Sequence, residues 1–277
     1  MKDIQQKQET NMLTYAIDSQ GCLVNINDVK TGQECLCRCP ACKEPLIAKN
    51  MGKVRVHHFA HQSGTECKSA YESMLHLLAK KRVQEAFLNS ESFYIDYEYT
   101  VYCKRENQCK YIINEGCYSN KRNRINLKDY YDSCEQEIAY DNIRRRSDLK
   151  IFSSVYPTRK PIYIEFCVTH ASDDEKLHSG NKIIECLIES EEDIDAIIKN
   201  GFIEERMVYN DYGYPSQNKT LFYDFSPKST EEQLNCEIEF TRYILYKSGK
   251  SRCYKDSCNC RDLKRLNSNS LYEVCFH

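Results

Sequence analysis

The chain has 277 residues, 17 of them cysteine, with 41% apolar and 29% charged side chains and a net charge of −2. This composition excludes a disordered or fibrous chain. No run approaches the ~18 apolar residues of a membrane-spanning helix, and the near-balance of charge excludes a global basic field as the basis of nucleic-acid binding. Basic residues cluster only locally, at Lys121, Arg122 and Arg124, at Arg144 to Arg146, and from Lys247 to Arg252. The polar N-terminus lacks the apolar core of a secretory signal, which predicts a cytoplasmic protein. In that reducing compartment, clustered cysteines point to zinc more readily than to disulfides.

Residues 12–30 alternate apolar and polar side chains (Leu13, Tyr15, Ile17, then Leu23, Val24, Ile26), which predicts a hairpin turning near Ser19–Gly21. The densest group of potential metal ligands follows, in ECLCRCPACKEPLIAKNMGKVRVHHFAHQSGTEC. Cys39 and Cys42 have zinc-knuckle spacing, a short strand and an Asn-Met-Gly turn lead into a second strand, and His58, His61 and Cys67 complete five candidates. A tetrahedral ion takes four of them, with His58 or Cys67 the open choice. Cys35 and Cys37 are spare.

From Cys67 to Asn89 the pattern predicts a helix, with Ser69 and Glu72 as a capping box and Tyr71, Met74, Leu75, Leu78 and Val83 at helical spacing. Glu72, His76 and Lys80 fall at i, i+4 and i+8 and form one polar stripe. The stripe is either a solvated edge with a Glu–His pair, or its Glu72 and His76 are aimed at acids elsewhere in the chain. Residues 92–103 predict a strand, while 104–143, holding Cys103, Cys109, Cys117 and Cys134, shows no clean period. That region reads as a second zinc-stapled insertion or an irregular lid.

SDLKIF and PIYIEFCVTH then predict two strands joined by a Pro-containing turn. Asp148 opens the first and Glu165 sits inside the second, an otherwise buried run. A carboxylate there is costly unless paired or neutralised, and two on adjacent strands can converge on one divalent ion. SDDEKLHSGN predicts a short helix, NKIIECLIES a strand, with Cys167 and Cys186 as core residues, and EEDIDAIIKNG a helix ending at Gly201. The order helix–strand–strand–strand–helix–strand gives a mixed α/β sheet flanked by helices. The C-terminal third predicts short strands, with Cys253, Cys258 and Cys260 as candidates for a second zinc site. The expected organisation is a hairpin and zinc module over 1–67, a core over 68–200 with an irregular Cys-rich insertion at 104–143, and a β-rich, Cys-rich region over 201–277.

This order, with one acid opening a strand and a second midway along the next, resembles the PD-(D/E)xK nuclease superfamily. More narrowly, CPAC followed by HHFAH and Cys67, then ESMLH, RRSDLKI and IEFCVTH with DDEK behind it, is similar to the competence-protein CoiA-like family across roughly residues 35–190. The resemblance implies a nuclease-like core behind a small zinc module. It assigns Asp148 and Glu165 to Mg²⁺ or Mn²⁺ and makes Glu72 the helix-borne acid; the helix stripe adds His76, and the end of the second strand adds Thr169, on the Glu165 face, and His170 as accessory candidates. The chain departs from the superfamily at the lysine two residues after the acid, which here is Cys167; Lys176 is the expected replacement. Two functions follow. One is a metal-dependent nuclease acting on DNA rather than RNA, in uptake, recombination or defence. The alternative is a nuclease-fold protein that binds nucleic acid or a partner protein without cutting. Neither requires a membrane.

Overall fold

The computed structural model describes residues 12–104, 118–139, 146–168, 180–205, 219–225, 231–232, 234, 237–246, 248–259 and 272–275. These form a mixed α/β protein, mostly strand, in two compact units: Met1–Tyr97 with Arg124–Phe225, and Glu98–Asn123 with Ser226–His277.

The first unit opens with the expected hairpin, β1 (Tyr15–Ile17) on β2 (Leu23–Asn25). Its turn is closed by the Asp18 carboxylate, which accepts from the Gln20 and Cys22 amides at 2.9 and 2.8 Å. A second hairpin pairs β3 (Leu46–Lys49) with β4 (His58–His61), and Arg38 bridges to both Ile17 and Pro45. Helix α1 (Ala70–Asn89) then buries Met74, Leu75, Leu78, Val83 and Phe87 along one side. The capping box expected at Ser69 does not form. Ser69 sits at φ −93°, ψ 2° rather than in the extended conformation of an N-cap, and its hydroxyl lies 3.7 Å from Cys67 Sγ instead.

Strands β5 (Tyr94–Cys103) and β6 (Tyr118–Asn126) precede a five-stranded sheet. That sheet contains β7 (Ser133–Ala139), β8 (Arg146–Phe152), β9 (Ile162–Cys167), β10 (Lys182–Leu187) and, after α2 (Glu191–Asn200) and the short β11 (Phe202–Ile203), β12 (Thr220–Tyr223). Its spatial order is β12-β10-β9-β8-β7. β7, β8 and β9 form an antiparallel meander, and β10 lies parallel to β9. Two sequence expectations are corrected here. The 92–103 strand is outside this sheet, and the first strand of the meander comes from within 104–143. β7 is an edge strand whose outward residues face solvent, so it carries little apolar signal. Cys134 is a core residue of β7, its thiol pushed up to about 12 by burial.

The short helix expected from SDDEKLHSGN, and with it Thr169, His170 and Lys176, lies outside the described residues. Helix α2 matches its prediction: the Asp193 carboxylate accepts from the Ser190 amide at 3.0 Å, and the helix stops at Gly201, φ 82°. Phe87, Phe93 and Phe202 pack in succession, edge-to-face and then tilted, with ring centroids 5.7 and 5.6 Å apart, and tie α1 to β11, which pairs with Ile95 and Asp96 of β5.

In the second unit, the end of β5 pairs with β13 (Glu231–Glu232), and Thr100 donates to Asn120 of β6 at 3.1 Å. A separate three-stranded antiparallel sheet places β14 (Glu237–Leu245) between β15 (Ser251–Asn259) and β16 (Tyr272–Cys275). No helix among the described residues is long and apolar enough to cross a membrane.

Candidate functional site

Two groupings of chemistry-bearing residues stand out, both in the first unit. The first is built on the β3–β4 hairpin. The chain turns tightly after Cys39: its amide donates to Glu44 O at 2.9 Å, Lys43 N returns to Cys39 O at 3.1 Å, and Lys43 adopts φ 65°. This knuckle presents Cys39 and Cys42 together. His61 at the end of β4 pairs with Leu46 at the start of β3, and Cys67 lies just ahead of α1. The ligand atoms of Cys39, Cys42, His61 and Cys67 all lie within 4.8 Å of one another, with Cys42 Sγ 3.3 Å from His61 Nε2. Burial pushes the Cys39 thiol up to about 11. At Cys67 burial acts in the same direction but is outweighed by hydrogen bonds from Ser69, Cys42 and Cys39, which lower it.

Three thiols and an imidazole, with no place left for a water ligand, make a closed Cys₃His set that can bind zinc as a structural ion. The fifth candidate, His58, is not among them; its Nδ1 faces Val56 O at 3.0 Å. Of the spare pair, Cys37 is buried with Sγ on Cys35 O at 3.2 Å, and Cys35 Sγ reaches Leu46 O at 3.5 Å. Of the C-terminal candidates, two have their backbone described. Cys253 and Cys258 stand five positions apart on one regular strand, roughly 16 Å along it, and Cys260 lies outside the described residues.

The second grouping is a row of acids across the five-stranded sheet. Glu185 of β10 pairs directly with Glu165 of β9. The β8–β9 register, Leu149 on Ile164 and Lys150 on Tyr163, extends by one residue to set Asp148 opposite Glu165. Between the pairs Gln136–Leu149 and Ile138–Ser147, Glu137 of β7 meets Asp148. Paired positions share a face of the sheet, which puts Glu165 beside Glu185 at strand spacing, about 4.8 Å; Asp148 follows from the β8–β9 register, and Glu137, whose φ of 54° breaks the regular pleat, joins them through Lys80, which contacts both Glu137 and Asp148. Asp148, Glu165 and Glu185 are buried, with exposures of 8%, 4% and 6%.

Helix α1 brings cations to this row. His76 Nε2 lies 3.0 Å from Asp148 Oδ2, and the Phe166 amide donates to the same oxygen at 2.8 Å. Lys80, only 5% exposed, is ion-paired with Glu137 and holds its Nζ 3.7 Å from Asp148 Oδ1. Burial alone would raise the Asp148 carboxyl; His76, the Phe166 amide and Lys80 outweigh it and hold the group below the usual carboxylate range. Cys167, two residues beyond Glu165 on the same face, donates its thiol to Glu185 Oε1 at 3.2 Å. Glu72 is half-buried in the first turn of α1.

The structure thus buries Asp148 and Glu165 on adjacent strands and brings His76 to Asp148. Sequence reasoning missed Lys80, Glu137 and Glu185 as members of the site. Lys80 was visible as the third residue of the i, i+4, i+8 stripe; the two glutamates depend on register and left no signal of their own.

Residues 25–70 match the family described as competence protein CoiA, N-terminal domain. The matched span contains all four members of the Cys₃His set, so the resemblance to the CoiA-like family is borne out for this N-terminal module. The acid row lies outside the matched residues. No curated protein and no solved structure matches the chain.

Proposed function

We propose, from the premise that the zinc-type module is that of a CoiA-like competence protein, that the sheet behind it is a metal-dependent nuclease core acting on DNA. The observation that carries this reading is the burial of two carboxylates, Asp148 and Glu165, on adjacent antiparallel strands, each one residue beyond the Leu149–Ile164 pair. Burying even one carboxylate costs several kcal/mol unless a cation or hydrogen bonds compensate, and here two stand at strand spacing with Glu185 as a third. The strand order supports it as well: an antiparallel meander of three strands followed by a fourth strand parallel to the third is the strand arrangement expected of the PD-(D/E)xK superfamily.

The residues fit Mg²⁺ or Mn²⁺. Of about four lone-pair positions on a carboxylate, Asp148 commits two to His76 and Phe166. Mg²⁺ is commonly held by one or two carboxylates, with waters and phosphate oxygens completing the shell. Asp148 and Glu165 would hold the ion, which supplies a polarised phosphate and a water of lowered pKa. Of the chain's own groups, the Phe166 amide and His76 fix the Asp148 carboxylate in place, and Glu72 completes the acid set from the helix. In the reaction a water oxygen bonds to phosphorus, a P–O ester bond breaks, and the water's proton ends on the departing oxygen.

The purified chain with Mn²⁺ or Mg²⁺ is expected to nick or degrade DNA, and Asp148→Asn or Glu165→Gln to lower the rate at least 100-fold without unfolding the protein. Unchanged cleavage by both variants refutes the assignment. A second reading, a nuclease fold that binds nucleic acid or a partner protein without cutting, is favoured by one observation: Cys167 replaces the strand lysine and is hydrogen-bonded to Glu185. DNA binding without cleavage under any divalent ion is its signature.

A further inference from the structure

A phosphodiester-cleaving site of the proposed type needs a cation near its acids to stabilise charge on the phosphate, and position 167 gives a thiol. Helix α1 offers one. Lys80 is buried at 5% exposure, although a buried ammonium is costly unless paired. It is one helical turn beyond His76 and two beyond Glu72, on the same stripe. Its Nζ pairs with Glu137 and stands 3.7 Å from Asp148 Oδ1. That distance is attractive but too long for a hydrogen bond. Of the three N–H donors of an ammonium, one goes to Glu137, and the ammonium itself stands beside the Asp148 carboxylate.

We propose that Lys80, arriving from the helix, is the catalytic lysine that the strand lacks at Cys167. The inference rests on the nuclease reading and sharpens it. Lys80 transfers no proton; it stays an ammonium, donates to a non-bridging phosphate oxygen, and stabilises the charge that gathers there as the water attacks. Nothing about this role requires the lysine to sit on the strand, because only the endpoint of the side chain meets the phosphate. Glu137 keeps the long side chain in place from the far edge of the sheet.

The test compares the unsubstituted full chain with Lys80→Met, Lys80→Met/Cys167→Lys and Asp148→Asn, in single-turnover DNA cleavage with Mn²⁺ and in calorimetric Mn²⁺ binding without DNA. Lys80→Met should lose at least 100-fold in rate while keeping its melting temperature. It should bind Mn²⁺ at least threefold more tightly, because a positive charge beside Asp148 has been removed. Adding Cys167→Lys should restore at least tenfold of the rate by returning an ammonium beside Glu165. Cleavage by Lys80→Met within threefold of the unsubstituted chain, or unchanged Mn²⁺ affinity, overturns the proposal. So does a rate loss that Cys167→Lys leaves untouched, which makes Lys80 a structural partner of Glu137. Should Lys80→Met not fold, Lys80→Arg, which keeps the charge but moves its endpoint, is expected to lose at least tenfold. Asp148→Asn separates the two ideas: if it cuts normally the nuclease reading falls, whereas normal cutting by Lys80→Met alone removes only the role of Lys80.

Discussion

His58 and His61 stand three positions apart on β4, and because a strand turns successive side chains to opposite faces, an odd separation keeps them from sharing one ion. On a helix, by contrast, residues three apart share a face, which is why an HxxH pair looks like a ligand pair until its secondary structure is known. The expected consequence is that the chain carries at least one zinc by elemental analysis, that His58→Ala leaves the stoichiometry unchanged, and that Cys42→Ser or His61→Ala lowers it by one. Loss of zinc in His58→Ala would transfer the assignment from Cys67 to His58. The same reasoning applied at the acids was only half available. The stripe Glu72–His76–Lys80 could be read from spacing, yet which member meets which carboxylate depended on the distance between α1 and β8. His76 and Lys80 reach Asp148.

At the scale of elements, hydrophobic pattern identified those elements with a strong bias: the hairpin β1–β2, helix α1, the buried strand β9 and helix α2. All six residues of β9 are buried, and a continuous β-branched and aromatic run between a Pro-containing turn and polar residues is a clear strand signal. β7 was not legible, because its sequence SCEQEIA is half-exposed at a sheet edge and carries polar residues on its open side. The stop of α2 shows how an element's end can be set by a distant contact. Gly201 has φ 82°, where any side chain is strained, and a Cβ there would lie 1.9 Å from Tyr94 O. Gly201→Ala must therefore move β5 or unwind the helix end, and is expected to cost about 2–4 kcal/mol. Thermal unfolding would show this as a fall of several degrees in melting temperature; an unchanged value would mean that the α2–β5 approach is looser than observed.

For the molecule as a whole, the burial of the five-stranded sheet should order its local stability. β9 and β10 lie inside the sheet and are almost wholly buried, β7 is an edge, and the β3–β4 loop exposes Met51 and Val54 almost completely. Opening free energy follows buried apolar contact and protected backbone bonding. In native-state hydrogen exchange the amides of β9 and β10 should therefore be the slowest, β7 faster, and residues 51–56 fastest; exchange in β9 as rapid as in β7 would contradict the strand order.

The sequence by itself determined what depends on nearest neighbours along the chain. It set the helix and strand periods, the knuckle spacing of Cys39 and Cys42, and the presence of one acid on each of two successive strands. Tertiary structure alone decided what depends on register and on one element meeting another. It selected Cys67 over His58 for the zinc-type set, set Asp148, Glu165 and Glu185 on adjacent strands, and brought Lys80 to Asp148. A shift of one residue in any strand pair would have turned these carboxylates to opposite faces. Pairing is chosen by the burial of whole strands, so no local spacing encodes it.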